Sequence, residues 1–460
     1  MRYVLMTLCA VALLAGLAEL FADYYVEPTT RAYGELIDAT IWNQDVVANV
    51  KSIYATTLNA TVTNGDSHDH VGGDGAAIVE NALGLTDNVT ANASTSAHGL
   101  CPKGTNTGTA FLRDDLTWAA AAAGGVYNWL INGGMQVWQR GTTFNNITTP
   151  ANSDDECLMD RWRLLSDGNN IVTVTQETSV VPTGGLYACT MNVTTADKKF
   201  GLVQIIERKN ILALIQNGAC SLSFKARMKA GGNATVDTLR AAVLAWNSTA
   251  DTVTSDVVSA WNAEGADPTW AANWTAENTP SGLTLTDAYQ TFEIENITLD
   301  TASTTNLAVV IWVDNTDGTV GDLVYVTDVQ LETGATANAF ARRGIQEELG
   351  LCKRYCEWFG GDAAYERFGI GWCDGTTTAS CCVFYGAKRS APTVGFSAAA
   401  DFMMYTTGGL KTLTGISGSI ISRTATQIAM TGLSSLTAGQ AAEFSANNTT
   451  AARIKIEAEM

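Results

Sequence analysis

Few side chains in this 460-residue sequence are of the kinds that carry chemistry, and their positions exclude several reaction types. Histidine occurs only at His68, His70 and His98, so no imidazole is available further along the chain. A Ser-His-Asp or Cys-His arrangement within the later part of one chain is therefore excluded. The glycine-rich "GGMQVWQRG" lacks the GxxxxGK[ST] spacing that cradles phosphates. The ten cysteines contain no CxxC pair, which removes redox and zinc-finger spacings and leaves buried free thiols as the expectation. A disulfide within the cluster from Cys352 to Cys382 is expected only if the chain is exported. The 46 acidic residues supply many carboxylate pairs, but context singles out none for glycoside cleavage.

Three groups of residues remain as candidates for binding. His68 and His70 alternate, so in an extended chain both imidazoles face one side. In a symmetric trimer their ring nitrogens would meet on the axis, a donor set that suits a transition metal such as iron, nickel or zinc. A polar, Asp-rich turn with exposed histidines explains the same residues without a metal. Asp314, Asp317 and Asp322 in "DNTDGTVGD" offer hard oxygen ligands of the kind a structural calcium takes, with Asp328 close by. Their spacing is not that of an EF-hand, and a hairpin turn with exposed aspartates is the plainer account. Neither segment requires a cofactor. Trp246, Trp261, Trp270 and Trp274 lie in a stretch rich in Asn, Asp, Ala and Thr. A flat indole face flanked by amides is what a sugar ring and its hydroxyls need. The competing reading makes these tryptophans caps on a core beneath a long loop. Trp138, Trp162 and Trp312 fall in strand-like patterns and are expected in the core.

Composition sets the class of fold that must position these groups. Hydrophobic residues make up 46% of the chain, enough for globular folding, while charged residues are only 16% and glycine reaches 42. Thr, Val and Ile recur in short runs broken by Gly, Asn and Asp, the pattern of all-β proteins with many turns. A net charge of −19 repels nucleic acid and anionic membrane, so neither is expected as a partner.

Five segments follow. Residues 1–22 pair Arg2 with an apolar run and small residues, which describes a secretory signal peptide or a non-native start. Residues 23–60 hold one amphipathic helix, with Ile41, Val46, Val47, Val50 and Ile53 at helical spacing. Such a helix is too short to be stable alone, and three copies side by side would bury its stripe. Residues 61–128 carry few large apolar groups and predict a linker, or an extended fibre segment ordered by several chains winding together. Residues 129–345 predict about eight strands with no amphipathic helix between them, a jelly-roll β-sandwich. Within it Ser221, Ser223 and Lys225 alternate with Leu222, Phe224 and Ala226. Residues 346–460 predict a short helix, "QEELGLCKRYCE", and a small β-rich domain. The fold class is therefore mainly β.

Several stretches resemble bacteriophage tail-fibre proteins. "RAYGELIDATIWNQDVVANV" is similar to the N-terminal element of many of them, and "SHDHVGGDGAAI" to the segment that follows it. "SAHGLCPKGTNTGTAFLRDDLTWA" resembles a fibre signature usually reading HGLLPK and then FLRGDGTWA; this chain departs from it at Cys101, Asp114 and Leu116. "INGGMQVWQRG", "DRWR" and "VQLETGATANAFARRGIQEELGLCKRYCE" resemble the opening and closing motifs of a jelly-roll module in phage structural proteins. "AAEFSANNTTAARIKIEAEM" is similar to a common fibre C-terminus. The resemblance implies a non-catalytic virion protein, a homotrimer joined to other tail proteins, that binds host-surface polysaccharide or protein. Residues 1–22 match nothing in that pattern, which keeps a secreted adhesin or surface-filament subunit as the alternative, with a polysaccharide depolymerase as a second.

Overall fold

The computed structural model describes residues 110–112, 118–120, 127–145, 157–233, 235–254 and 256–460. The chain divides into two compact units, Met1–Gly124 and Gly125–Met460. In the first, an antiparallel hairpin pairs β1 (Ala110–Leu112) with β2 (Trp118–Ala120), with Leu112 in register with Trp118. The expected helix in residues 23–60 and the histidines His68 and His70 lie outside the described residues.

The second unit opens with a β-sandwich. Its strands are β3 (Thr143–Phe144), β4 (Arg163–Ser166), β5 (Val172–Glu177), β6 (Ala188–Val193), β7 (Phe200–Ile206), β8 (Ala219–Met228) and β9 (Thr238–Trp246). After β9 come β10 (Val258–Ala260), β11 (Thr269–Trp270), β12 (Trp274–Ala276), β13 (Leu283–Thr284), β14 (Gln290–Thr298), β15 (Asn306–Val313) and β16 (Leu323–Thr333). One six-stranded sheet runs β12-β9-β15-β7-β4, with β13 also on β9; the other runs β14-β8-β16-β6-β5-β3. All pairings within the two sheets are antiparallel. The mainly-β, jelly-roll-type expectation holds, with more strands than the eight expected, because short edge strands such as β3 and β13 leave no periodic trace.

The two sheets read differently because they are buried differently. Strand β15, "NLAVVIWV", is buried at every residue. Leu307, Val309 and Ile311 face the core between the sheets, while Ala308, Val310 and Trp312 face a second core on the opposite side. In β8 Cys220, Leu222, Phe224 and Ala226 enter the inter-sheet core and Met228 packs against it. Alternation puts Ser221, Ser223, Lys225 and Arg227 on the outer face.

One helix interrupts the strands, contrary to expectation. Helix α1 (Arg208–Asn217) buries Ile211, Leu214 and Ile215 in the inter-sheet core, a stripe at helical spacing too brief to stand out in a β-rich sequence. It ends at Gly218, whose φ of 73° needs a residue without Cβ, and the Gly218 N–H donates to Leu214 and Ile215 carbonyls. No helix among the described residues is long and apolar enough to cross a membrane.

Helix α2 (Ile345–Lys353) leads into the C-terminal module; it stops earlier than expected, because Cys356 already belongs to a strand. The strands are β17 (Cys356–Phe359), β18 (Arg367–Cys373), β19 (Ala379–Phe384), β20 (Thr393–Phe396), β21 (Phe402–Thr406), β22 (Gly409–Thr412), β23 (Gly415–Ser419), β24 (Ala425–Thr431), β25 (Ala441–Ala446) and β26 (Ile454–Glu457). A three-stranded sheet, β17-β26-β20, faces a seven-stranded one, β22-β21-β25-β18-β19-β24-β23. Phe368, Phe396, Phe402 and Phe444 pack ring against ring in the core of this module, Phe402 stacked on Phe444 and edge-on to Phe396.

The two modules meet across buried charge. Glu459 accepts hydrogen bonds from Arg140 (Nη2, 2.8 Å) and Arg161. Glu207 takes a bidentate pair from Arg354 at 3.0–3.1 Å and a bond from the Tyr355 hydroxyl at 3.1 Å. The Arg161 guanidinium lies 3.7 Å from the Tyr355 ring centroid. Burial alone would push the Glu459 carboxyl up, but Arg161, Arg140 and Arg163 overcome it and hold the pKa down at about 2, from 4.5. A depressed carboxylate pKa stabilises the fold above about 4.5, and that contribution is lost as pH falls toward 2. Glu459→Gln strands the arginines and is expected to lower stability by about 3–5 kcal/mol at neutral pH. In urea denaturation the gap between parent and variant should close as pH falls below about 4.5. A gap that stays constant with pH would contradict this account.

Candidate functional site

The tryptophan-rich stretch does not form a sugar platform. Trp246 is 0% and Trp274 4% exposed, and their rings meet at 5.2 Å between centroids. Trp261 and Trp270 are half-buried against the same cluster, with Trp270 edge-on to Trp312 at 5.7 Å. The cause is the outer face of the first sheet, which carries Ala242, Leu244, Ala308, Val310 and Trp312 and must be covered. Trp138, Trp162 and Trp312 are core residues, as expected.

The aspartates in "DNTDGTVGD" do not converge on a cation site either. Asp314 faces Lys199 (Nζ, 3.3 Å) and Arg240 (3.9 Å) and accepts from the Gly265 N–H. One Asp322 oxygen takes N–H groups of Thr319 and Val236 and the Thr235 hydroxyl, while Asp317 is exposed. Asp328 is held by Lys225 (3.0 Å) and Arg342 (2.8 Å). Carboxylates already matched to cations and N–H donors do not suit calcium, which needs several of their oxygens at once. Among the described residues no three His, Cys, Asp or Glu side chains cluster as metal ligands. The eight cysteines among them are free, six of them buried, and burial pushes the half-exposed Cys157 thiol up to about 11.

A cleft of about 510 Å³ between the modules carries Arg140, Arg163, Trp358, Lys455, Glu457 and Glu459. Two carboxylates in a cleft suit glycoside cleavage only if one stays protonated as the acid. Burial would raise both, yet the arginines hold Glu459 at about 2, and Lys455 and Arg140 keep Glu457 below the ordinary range. Neither is tuned as a general acid.

The outer face of the second sheet offers a different chemistry. Strand register places Thr143, Thr175, Thr190, Tyr325 and Arg227 in one row across β3, β5, β6, β16 and β8. The Arg227 guanidinium lies 5.5 Å from the Tyr325 ring centroid and 5.7 Å from that of Tyr289. Its Nε donates to the Met228 carbonyl, and the Tyr289 hydroxyl donates to Val180. Burial raises both phenols, so they stay neutral donors. Thr190 Oγ1 and Asn192 Oδ1 are buried beneath this face and have no hydrogen-bond partner among the described residues. A bulge in β16 puts Asp328 at φ 51° and lodges its carboxylate between Lys225 and Arg342. Beyond it the segment after β16 folds back, Asn338 and Ala341 donating to Glu332 and Gln330. Of these groups, the alternation in β8 had marked Lys225, and Arg227 is its next outward position. Tyr289, Tyr325, Thr190 and Asn192 become neighbours only through strand pairing.

No known family profile matches the chain, and no curated protein matches it in sequence. Among solved structures it is similar to a carbohydrate-binding module, TmCBM61, in complex with β-1,4-galactotriose: 16% identity over 45% of this chain and 99% of that one, TM-score 0.25. The enzymatically active domain of bacteriophage CBA120 tailspike protein 4 matches at 13% identity over 41% of this chain and 21% of that one, TM-score 0.25. A putative sugar-binding protein from Bacteroides thetaiotaomicron matches at 14% identity over 45% of this chain and 100% of that one, TM-score 0.24. The neighbours are thus mostly β-sandwich carbohydrate-binding modules, and scores this low leave function to the residues of the chain itself.

Removing a tryptophan from the covering loop tests its assignment as core. Trp274→Ala is expected to lower stability by about 3–5 kcal/mol in urea denaturation, the usual loss for a buried indole. A variant as stable as the parent would return Trp274 to the surface.

Proposed function

We propose that this chain is a non-catalytic attachment protein of a bacteriophage particle, a tail-fibre or receptor-binding subunit. In this reading it meets host-surface glycans through the outer face of the second sheet. The observation that carries the glycan reading is the polar outer face of the second sheet, where the half-buried Thr175 and Arg227 stand in one row and the half-buried Tyr289 ring lies 5.7 Å from the Arg227 guanidinium. The Tyr289 ring offers apolar area to the carbon face of a sugar, while the Thr175 hydroxyl and the Arg227 guanidinium match its oxygens. The fibre-type motifs from residue 31 onward support the virion setting, with a homotrimer joined to other tail proteins. Chains repeated on one particle would multiply weak contacts, so even millimolar sites would hold firmly.

Binding of the full chain to host-surface polysaccharide, measured by biolayer interferometry, tests the site. Arg227→Ala and Thr175→Val should each weaken it about tenfold, close to 1.4 kcal/mol, with thermal stability little changed. Undiminished binding by both variants would move the site elsewhere, and shortening of the polysaccharide would favour the depolymerase. Finding the chain in supernatant of uninfected cells, and not in purified virions, would favour the secreted adhesin.

A further inference from the structure

The polar face of the second sheet is not evenly charged. Along β8 the outward positions pass from the hydroxyls of Ser221 and Ser223 to the cations Lys225 and Arg227. Lys229 follows just past the strand and is exposed, and Arg342 reaches the same end from the segment after β16. The carboxylates near these four cations are engaged or unpaired with them. Asp328 is buried and shared between Lys225 at 3.0 Å and Arg342 at 2.8 Å. One Glu177 oxygen accepts the N–H groups of Ser179 and Val180 at 2.6 and 2.9 Å. Asp287, on the turn into β14, is exposed and pairs with none of the four. Glu293 stands opposite Ser223, toward the other end of the face. Lys229 has only the Gly321 carbonyl, 3.4 Å from its Nζ.

Arg227 is the cation this arrangement leaves available. Its Nε donates to the Met228 carbonyl at 3.0 Å, and the Tyr325 and Tyr289 rings lie 5.5 and 5.7 Å from the guanidinium carbon. Among the described residues neither Nη group has a hydrogen-bond or ion-pair partner, and neither is closed off from solvent. A guanidinium held by one bond and two rings has little freedom left to lose when a ligand arrives. It presents adjacent N–H donors without an acceptor, the planar fork that matches two oxygens of a carboxylate or phosphate. A neutral sugar also needs acceptors for its hydroxyl protons, whereas the Asp328 oxygens beside this end are already matched to cations. On a chain of net charge −19 most of the surface repels a polyanion, so a cationic end of one sheet is where it would be admitted.

We infer that the glycan met on this face is an acidic one, its anionic group seated on the Arg227 fork with Lys225 and Lys229 alongside. The inference rests on the glycan reading and names the class of sugar. Biolayer interferometry on the full chain tests it with three preparations of host-surface polysaccharide. These are the intact material, material with its carboxyl groups reduced to alcohols, and material stripped of sulfate and phosphate esters. At least one treatment should weaken binding ~10-fold or more, and which one does so identifies the acid. Binding of the intact material should also weaken ~10-fold as sodium chloride rises from about 50 to about 500 mM. Arg227→Gln should bind intact and treated material alike, while Arg227→Lys, which keeps the charge and loses the fork, should keep part of the preference. Lys411→Gln, in the C-terminal module, should behave as the parent, and all three variants should keep the parent's thermal midpoint. Equal binding of the parent to all three preparations overturns the inference and leaves the glycan reading standing. A preference that survives Arg227→Gln overturns it by placing the acid elsewhere, and one that Lys411→Gln also removes overturns it by reducing it to overall charge. Failure to bind any preparation overturns the glycan reading and this inference with it.

Discussion

A β-sheet that is apolar on both faces has to be covered twice, and the sandwich is arranged around that requirement. Strands β7, β9 and β15 send alternate side chains into the inter-sheet core and into a second cluster on the far side. The chain between β9 and β14 supplies the second cover, with Val257, Val258, Trp270 and Trp274 pressed on Trp246 and Trp312. Gly201 lies opposite Trp312 on the neighbouring strand, where a Cβ would come within 2.7 Å of the Trp312 Cβ. An indole buries on the order of 150–250 Å², so the tryptophans contribute several kcal/mol as a group only while they stay covered. The outward polar residues of this module are therefore carried by the second sheet.

The seam between the modules works by orientation more than by net stability. Replacing buried ion pairs with well-packed apolar groups is often neutral or better, so the pairs need another account. Each guanidinium here must find its carboxylate across the seam: Arg140 and Arg161 reach Glu459, and Arg354 reaches Glu207. Lys388, fully buried, is bound to Glu357 at 2.7 Å within the C-terminal module itself. A slip of one module against the other would leave several charges buried and alone, which costs far more than loss of apolar contact. The small cluster of Ile131, Val137, Cys352 and Tyr355 fills the remaining space. Two sandwiches with separate cores are thereby held in one arrangement.

Fold class was legible because period-two alternation and turn residues are local signals. β8 and β14 alternate visibly, and β15 reads as a continuous apolar run. Helix α1 was hidden because ten residues with three buried positions barely differ from a strand with its flanks. The site was legible only in part. Tryptophans among Asn and Asp look exposed until the sheet beneath them is known to be apolar on that side as well. Asp314 looks like a ligand until Lys199, 115 residues away in sequence, is seen to face it. Tyr325 and Arg227 share a row because of a pairing register that no local pattern encodes.

What separates the two open β faces is the state of their polar atoms. On the sandwich, Thr190 and Asn192 hold buried oxygen atoms with no donor among the described residues. On the C-terminal sheet, Asp374, Ser380 and Gln427 close a local network, and Ile370 and Phe384 stand in solvent.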